Sequence, residues 1–150
     1  METKMNTRKN FRLFVGLLMS SAMVLVVGCS TVSGWVGMGG TSLSGSQEVP
    51  PVTTSASGKT DITIKDDHSV TGGVTVSDMK GTAAHIHEAP AGKNGGVAVP
   101  LTKNSDTSFS VPAGTKLTEA QYSAYKAGNL YVNVHSATHP AGEVRAQLKP

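Results

Sequence analysis

Beyond the first third of the chain the residues fall into short runs in which polar and β-branched or aliphatic side chains alternate. The runs are cut at roughly 8 to 12 residue intervals by Gly, Pro, Asn and Asp. Alternation with a period of two sends successive side chains to opposite faces, so each run has one apolar face that another layer must cover. Thr60-Asp61-Ile62-Thr63-Ile64-Lys65 is such a run, Asp66-Asp67-His68-Ser69 has turn chemistry, and Val70 to Ser77 resumes the strand, with Gly72-Gly73 marking a bulge or bend. This predicts a hairpin, with His68 exposed in its turn. Further strands are predicted at Ala83 to Glu88, Val97 to Leu101, Ser108 to Val111, Leu130 to His135 and Glu143 to Leu148. One helix interrupts them near 119–127: Thr118-Glu119-Ala120-Gln121 has the capping-box pattern, Tyr122 and Tyr125 lie one turn apart, and Gly128-Asn129 is a stop signal. After Phe14 the only aromatics are Trp35, Phe109 and three Tyr, so the core must be mostly Val, Ile, Leu and Ala. The expected fold is all-β: an antiparallel, Greek-key-like β-sandwich or open barrel with one short helix.

The first 28 residues are of another kind. Lys4, Arg8, Lys9 and Arg12 precede the apolar run Leu13 to Val27, which Gly16, Ser20 and Ser21 interrupt and which is short for a membrane span. This pattern is that of a secretory signal peptide. Its end, Val26-Val27-Gly28-Cys29, resembles the lipobox of bacterial lipoproteins, in which the cysteine thiol is acylated and becomes the mature N-terminus. Cys29 is the only cysteine, so no internal disulfide is available. The resemblance implies a lipid anchor at Cys29, with palmitate among the acyl groups, and a place on the extracytoplasmic side of the cell envelope without a membrane-spanning segment. Ser30, where an Asp would favour inner-membrane retention, favours the outer membrane if the host has two. Residues 29–41 are rich in Gly, Ser and Thr and read as a flexible tether, with Trp35 able to settle at headgroup level.

Charge is informative only after the leader is set aside. The leader holds four of the 13 Lys+Arg and one of the 10 Asp+Glu, so nine of each remain. A near-neutral mature chain argues against nucleic acid as a partner. Hydrolase and nucleotide signatures are incomplete. Gly58-Lys59-Thr60 lacks the first glycine of a phosphate loop, since Thr53 occupies that place, and Ser77-x-x-Lys80 and Ser123-x-x-Lys126 have no accompanying motifs.

The chemistry-bearing residues cluster. His85 and His87 share one strand face while Ile86 takes the other, and in the run Leu130 to His135 the set Tyr131, Asn133 and His135 lies opposite Leu130, Val132 and Val134. Val144, Ala146 and Leu148 face in, leaving Glu143, Arg145 and Gln147 outward. If these strands are neighbours, His85, His87 and His135 form a candidate copper or zinc site, with His139 a possible fourth ligand and Met79 a softer one. Glu143 and Arg145 extend the patch, as a rim ion pair or a site for anions. The alternative is a structural network in which the imidazoles bond to Glu88, Glu143 or loop carbonyls.

Four blocks carry a family resemblance: Leu43-Ser44-Gly45-Ser46-Gln47-Glu48-Val49-Pro50-Pro51, Ala84 to Ala89, Asn129 to Ser136, and His139-Pro140-Ala141-Gly142-Glu143-Val144-Arg145-Ala146-Gln147-Leu148. Together and in this order they resemble the CHRD domain, named for chordin and found in single copy in bacterial secreted proteins. The resemblance implies an extracytoplasmic β-sandwich over 42–150, with no established reaction for bacterial members. It points to a noncatalytic binding or structural module whose partner is an extracytoplasmic protein or glycan. The His-x-His strand also resembles the copper-binding strand of copper-zinc superoxide dismutases, which would give Arg145 an anion-guiding role. No zinc loop or disulfide of that family accompanies it, and a shared sandwich does not carry function.

Overall fold

The computed structural model describes residues 40–150. The leader 1–28, Cys29 and the tether as far as residue 39 lie outside the described residues. In chain order the strands are β1 (Thr41–Ser44), β2 (Ser57–Thr60), β3 (Thr63–Ile64), β4 (Val70–Thr71), β5 (Gly73–Ser77), β6 (Gly81–Glu88), β7 (Gly96–Pro100), β8 (Thr102–Ser105), β9 (Ser108–Ser110), β10 (Leu130–Ser136) and β11 (Val144–Leu148). A short 3-10 turn, Gly45–Gln47, follows β1, and the helix α1 (Glu119–Lys126) precedes β10.

Nine of these strands form one antiparallel sheet in the order β7-β6-β10-β11-β1-β2-β5-β9-β8. Its two outermost strands, β7 and β8, are joined along the chain by Leu101 alone. That connection is possible only if the sheet curls until its edges meet. Hydrogen bonds from Leu101 N to Ala84 O (3.0 Å) and from Gly81 N to Asp106 O (2.7 Å) tie the edges together. The result is a nearly closed, barrel-like sheet, the open-barrel form of the expected all-β fold, and closure leaves little unpaired edge for another chain to extend.

Alternation decides the inside. Ala84, Ile86, Leu130, Val132, Val134, Val144 and Ala146 are fully buried, and they meet across strands as Val132 opposite Ile86 and Ala146, and Val134 opposite Ala84 and Val144. Among the described residues Phe109 is the one aromatic ring within the buried apolar cluster, against which Tyr122 and Tyr125 pack from partly buried positions. Gly81 makes room for it: a Cβ there would lie 2.6 Å from the Phe109 ring.

The predicted hairpin is present but bent. Thr60 pairs with Val74 and Thr63 with Thr71, in two separate ladders. The bend falls at Gly72, whose φ of +97° an L side chain rarely adopts, and Asp61 Oδ1 accepts a bond from Gly73 N at 2.7 Å. His68 is not free in its turn as expected. It is half-buried at φ +66° and stacks on Tyr122 at 4.2 Å between ring centroids, because α1 packs over the turn. The capping box of α1 is complete, with Gln121 N donating to Thr118 Oγ1 (3.2 Å) and Thr118 N to Gln121 Oε1 (2.9 Å). Three strands had no alternation to announce them. β8 is exposed throughout, β1 turns only Leu43 fully inward, and β2, Ser-Gly-Lys-Thr, lies ahead of the predicted run and meets it only at Thr60.

Candidate functional site

The outer face of β6, β10 and β11 carries the candidate residues in a grid. Tyr131 stands opposite His87 and Gln147, and Asn133 opposite His85 and Arg145. His135 follows Asn133 two residues on, beside Glu143, whose N–H donates to Val134 O. Asn133 is thus the middle of the patch. An outward sheet face is normally wet, yet Tyr131, Asn133, Glu143 and Arg145 are each no more than 5% exposed and His87 is 8% exposed.

Two loops cover them. From one side the segment 45–56 brings Thr54, whose hydroxyl donates to Glu143 Oε1 at 2.7 Å, and Glu48, itself buried. From the other, residues 89–95 bring the carbonyls of Ala89, Lys93 and Gly95. Arg145 Nη2 donates to Lys93 O (2.9 Å), Arg145 Nη1 to Asn94 Oδ1 (3.1 Å), and Gln147 Nε2 to Ala89 O (2.9 Å). Asn94 Nδ2 in turn donates to Val49 O at 2.6 Å, so the two loops are tied to each other. Beneath them the Arg145 guanidinium lies 3.4 Å from the Tyr131 ring centre, and the other side of that system is His87, stacked on Tyr131 at 4.8 Å with 6° between planes. The barrel therefore has a polar layer outside its apolar core.

Within this layer His85, His87 and His135 offer ligand nitrogens that all lie within 4.8 Å of one another. Their hydrogen bonds define the tautomers. His87 Nδ1 lies 3.0 Å from Gly95 O and His135 Nδ1 lies 3.0 Å from Pro140 O. A carbonyl only accepts, so both Nδ1 atoms carry the proton and both Nε2 atoms of the neutral rings carry a lone pair, of which only that of His87 lacks a hydrogen-bond partner. His85 Nδ1 then donates to His135 Nε2 over 3.0 Å. All three imidazoles are held below their ordinary pKa, chiefly by burial. For His85 the neighbouring His135 and His87 add to the shift; for His87 Arg145 adds to it while its bond to Gly95 opposes; for His135 the bond to Pro140 opposes. Neutral rings with the far N–H fixed on a backbone carbonyl are the arrangement that metal-ligating histidines adopt. Nitrogens bound to one tetrahedral zinc sit about 3.3 Å apart for bonds of about 2.0–2.1 Å, so shifts of about 1 Å would complete the site.

Three buried side-chain atoms among the described residues lack a hydrogen-bond partner: His87 Nε2, Asn133 Oδ1 and Glu48 Oε1. All three belong to this layer. Each orphaned group costs about 1–3 kcal/mol if nothing satisfies it. Burial raises the Glu48 pKa against the opposing pull of Arg145.

The remaining candidates are placed elsewhere. His139 stands outside the three-histidine cluster, with Nδ1 3.2 Å from Thr138 Oγ1 and 3.5 Å from Glu143 Oε2. Met79 packs against the apolar core. Glu143 and Arg145 form no ion pair, since Glu143 turns to Thr54 and His139 while Arg145 turns to Tyr131 and the 93–94 backbone and amide. Burial pushes the Glu143 pKa up, but hydrogen bonds from Ser136, Thr54 and His139 outweigh it and the net direction is down. Arg145 is 1% exposed, so it is closed to a solute anion and cannot guide one. Glu88 is exposed and takes no part in the histidine network. Glu48 and Asn133 had no role assigned from sequence, although Asn133 shares a strand face with His135 and Glu48 sits in an apolar Val-Pro-Pro context. Gly142 makes space for both: at φ +134°, a Cβ there would meet Glu48 Oε1 at 2.5 Å and Asn133 Nδ2 at 2.6 Å.

Fold and site together define an antiparallel barrel domain whose motif residues form a loop-covered polar layer around three histidines. The CHRD domain family model matches residues 40–148, and the chain belongs to the CHRD domain family. That membership supports a binding or structural module. No curated protein and no solved structure matches the chain.

Proposed function

We propose that this protein is a lipid-anchored, noncatalytic module of the cell envelope that holds one copper or zinc ion between His85, His87 and His135. The observation that carries the metal reading is the pair of fixed tautomers. Hydrogen bonds to Gly95 O and Pro140 O leave Nε2 of His87 and of His135 unprotonated; His135 Nε2 accepts from His85 Nδ1, a bond that a shared metal would replace, and His87 Nε2 is buried without a partner. A purely structural network explains the carbonyl bonds but leaves that nitrogen empty; a cation at His87 Nε2 explains both. Neutral imidazole suits copper and zinc, and carboxylate-rich sites for calcium or magnesium have no counterpart in this cluster.

The anchoring part of the proposal rests on sequence. The leader, the Val26-Val27-Gly28-Cys29 ending and the Gly/Ser-rich tether support acylation at Cys29 and an extracytoplasmic position, in the outer membrane if the host has two. An extracytoplasmic protein or glycan is the macromolecular partner we assign to the exposed remainder of the domain. A superoxide-dismutase-like reaction is not part of the proposal, because Arg145 is unavailable as its anion guide.

The test is metal retention. Full-length chain in detergent micelles, loaded with copper(II) or zinc(II) and dialysed, should retain about one equivalent by elemental analysis and melt at higher temperature than the metal-free form. The double variant His85→Ala/His87→Ala should lose both effects. Metal-free wild type after dialysis overturns the proposal.

A further inference from the structure

The centre of the histidine grid is a carboxamide. Asn133 lies directly across the sheet from His85 and two residues before His135, on the same outer face as His87. It is 2% exposed, and Oδ1 has no partner. Which end of the amide faces the histidines is determined by its other neighbour. Asn133 Nδ2 and Glu48 Oε1 lie on the same side of Gly142, so the NH₂ end of the amide is turned to the Gly142 side, next to β11. The oxygen end is therefore turned away from β11, toward the side on which β6 carries His85 and His87.

His87 Nδ1 gives its proton to Gly95 O, so His87 Nε2 presents a lone pair, and Asn133 Oδ1, buried in the same layer, presents another. Two buried acceptors that receive no hydrogen bond are each left unsatisfied. A cation held by both would satisfy them together.

We propose that Asn133 Oδ1 is the fourth donor of the metal site, completing with His85, His87 and His135 a three-nitrogen, one-oxygen set whose amide is held in register by Glu48. This rests on the metal reading above. A neutral oxygen donor is hard, so the set favours zinc(II) and copper(II) over copper(I). Glu48 is a positioning residue: it orients the carboxamide and touches no metal.

Copper(II) binding by the full chain in micelles distinguishes the possibilities. Asn133→Ala should weaken copper(II) affinity at least about tenfold and change the copper paramagnetic resonance parameters, because one protein oxygen donor would be lost to water. Asn133→Asp keeps an oxygen in place and adds a charge. It should bind copper(II) more tightly than wild type and show a larger metal-induced rise in melting temperature, an effect that loss of mere packing cannot produce. Should Asn133→Ala fail to fold, the Asp variant alone decides. Copper bound by wild type and Asn133→Ala with equal affinity and identical spectra overturns the inference while leaving the three-histidine site standing. An Asp variant that binds no more tightly than wild type does the same. Wild type that retains no copper overturns the metal reading itself, and this inference with it.

Discussion

Replacing Arg145 by methionine keeps most of the side-chain length and removes the charge on which both covering loops converge. The guanidinium donates to Lys93 O at 2.9 Å and to Asn94 Oδ1 at 3.1 Å, and lies 3.4 Å from the Tyr131 ring centre. Hydrogen bonds from a charged donor contribute about 1.5–3 kcal/mol each, so these two amount to roughly 3–6 kcal/mol. A desolvated cation–π contact adds about 2 kcal/mol. Removing the group also returns its desolvation cost, several kcal/mol, which leaves a net loss of about 3–5 kcal/mol, the range for deleting one member of a buried charged set. That is a large part of a domain stability of about 5–15 kcal/mol. Urea unfolding followed by far-UV circular dichroism measures it: with a slope near 2 kcal/mol/M the midpoint falls by roughly 2 M. Part of the loss comes from the Glu48 carboxylate, buried beside the missing charge. Adding Glu48→Gln to Arg145→Met should therefore recover about 1–2 kcal/mol relative to the single variant. A loss below about 1 kcal/mol for Arg145→Met, or no recovery in the double variant, refutes the view of Arg145 as the tie between barrel and loops.

Two further outcomes follow from the same structure. With metal removed by chelator, stability should fall as pH drops below about 6.5, because His85, His87 and His135 have lowered native pKa values and the unfolded chain takes up protons first. Their contribution is complete above the unfolded value of 6.5 and is lost as pH falls through the native ones. Glu48, raised by burial, carries the opposite sign and offsets part of the slope, so each net proton changes stability by at most about 1.4 kcal/mol per pH unit; a urea midpoint higher at pH 5 than at pH 7.5 contradicts the assignment. Thr118→Ala removes the hydroxyl that accepts from Gln121 N and should cost about 1 kcal/mol by urea unfolding, while leaving metal binding unchanged.

Most of the barrel was legible because its signals are local. The turn glycines Gly72 and Gly128, the capping box at Thr118 and the alternation around Ile86 and Val132 each act within a few residues, and each appears where the pattern puts it. β8 was not legible, since an edge strand exposed on both faces has no apolar period to announce it. His139 was over-read for a related reason. Its place in the sequence, next to the His135 strand, says nothing of the turn that aims its ring at Glu143.

The sequence by itself determined which face each histidine occupies, because a period of two leaves a side chain only two directions and Ile86, Val132 and Val134 claim one of them. It also determined that the core is aliphatic and that the family blocks coincide with the chemistry-bearing residues. Only the tertiary structure decided that β6, β10 and β11 are neighbours, that two loops close over their outer face, and that Arg145, Glu48 and Asn133 are buried there. The reason is physical. Strand pairing and loop closure join residues 40 to 100 positions apart, as Glu48 and Arg145 are, and no local preference of a residue encodes its partner at that range. That long-range assembly is what buries His87 Nε2 and Asn133 Oδ1 in one layer without partners.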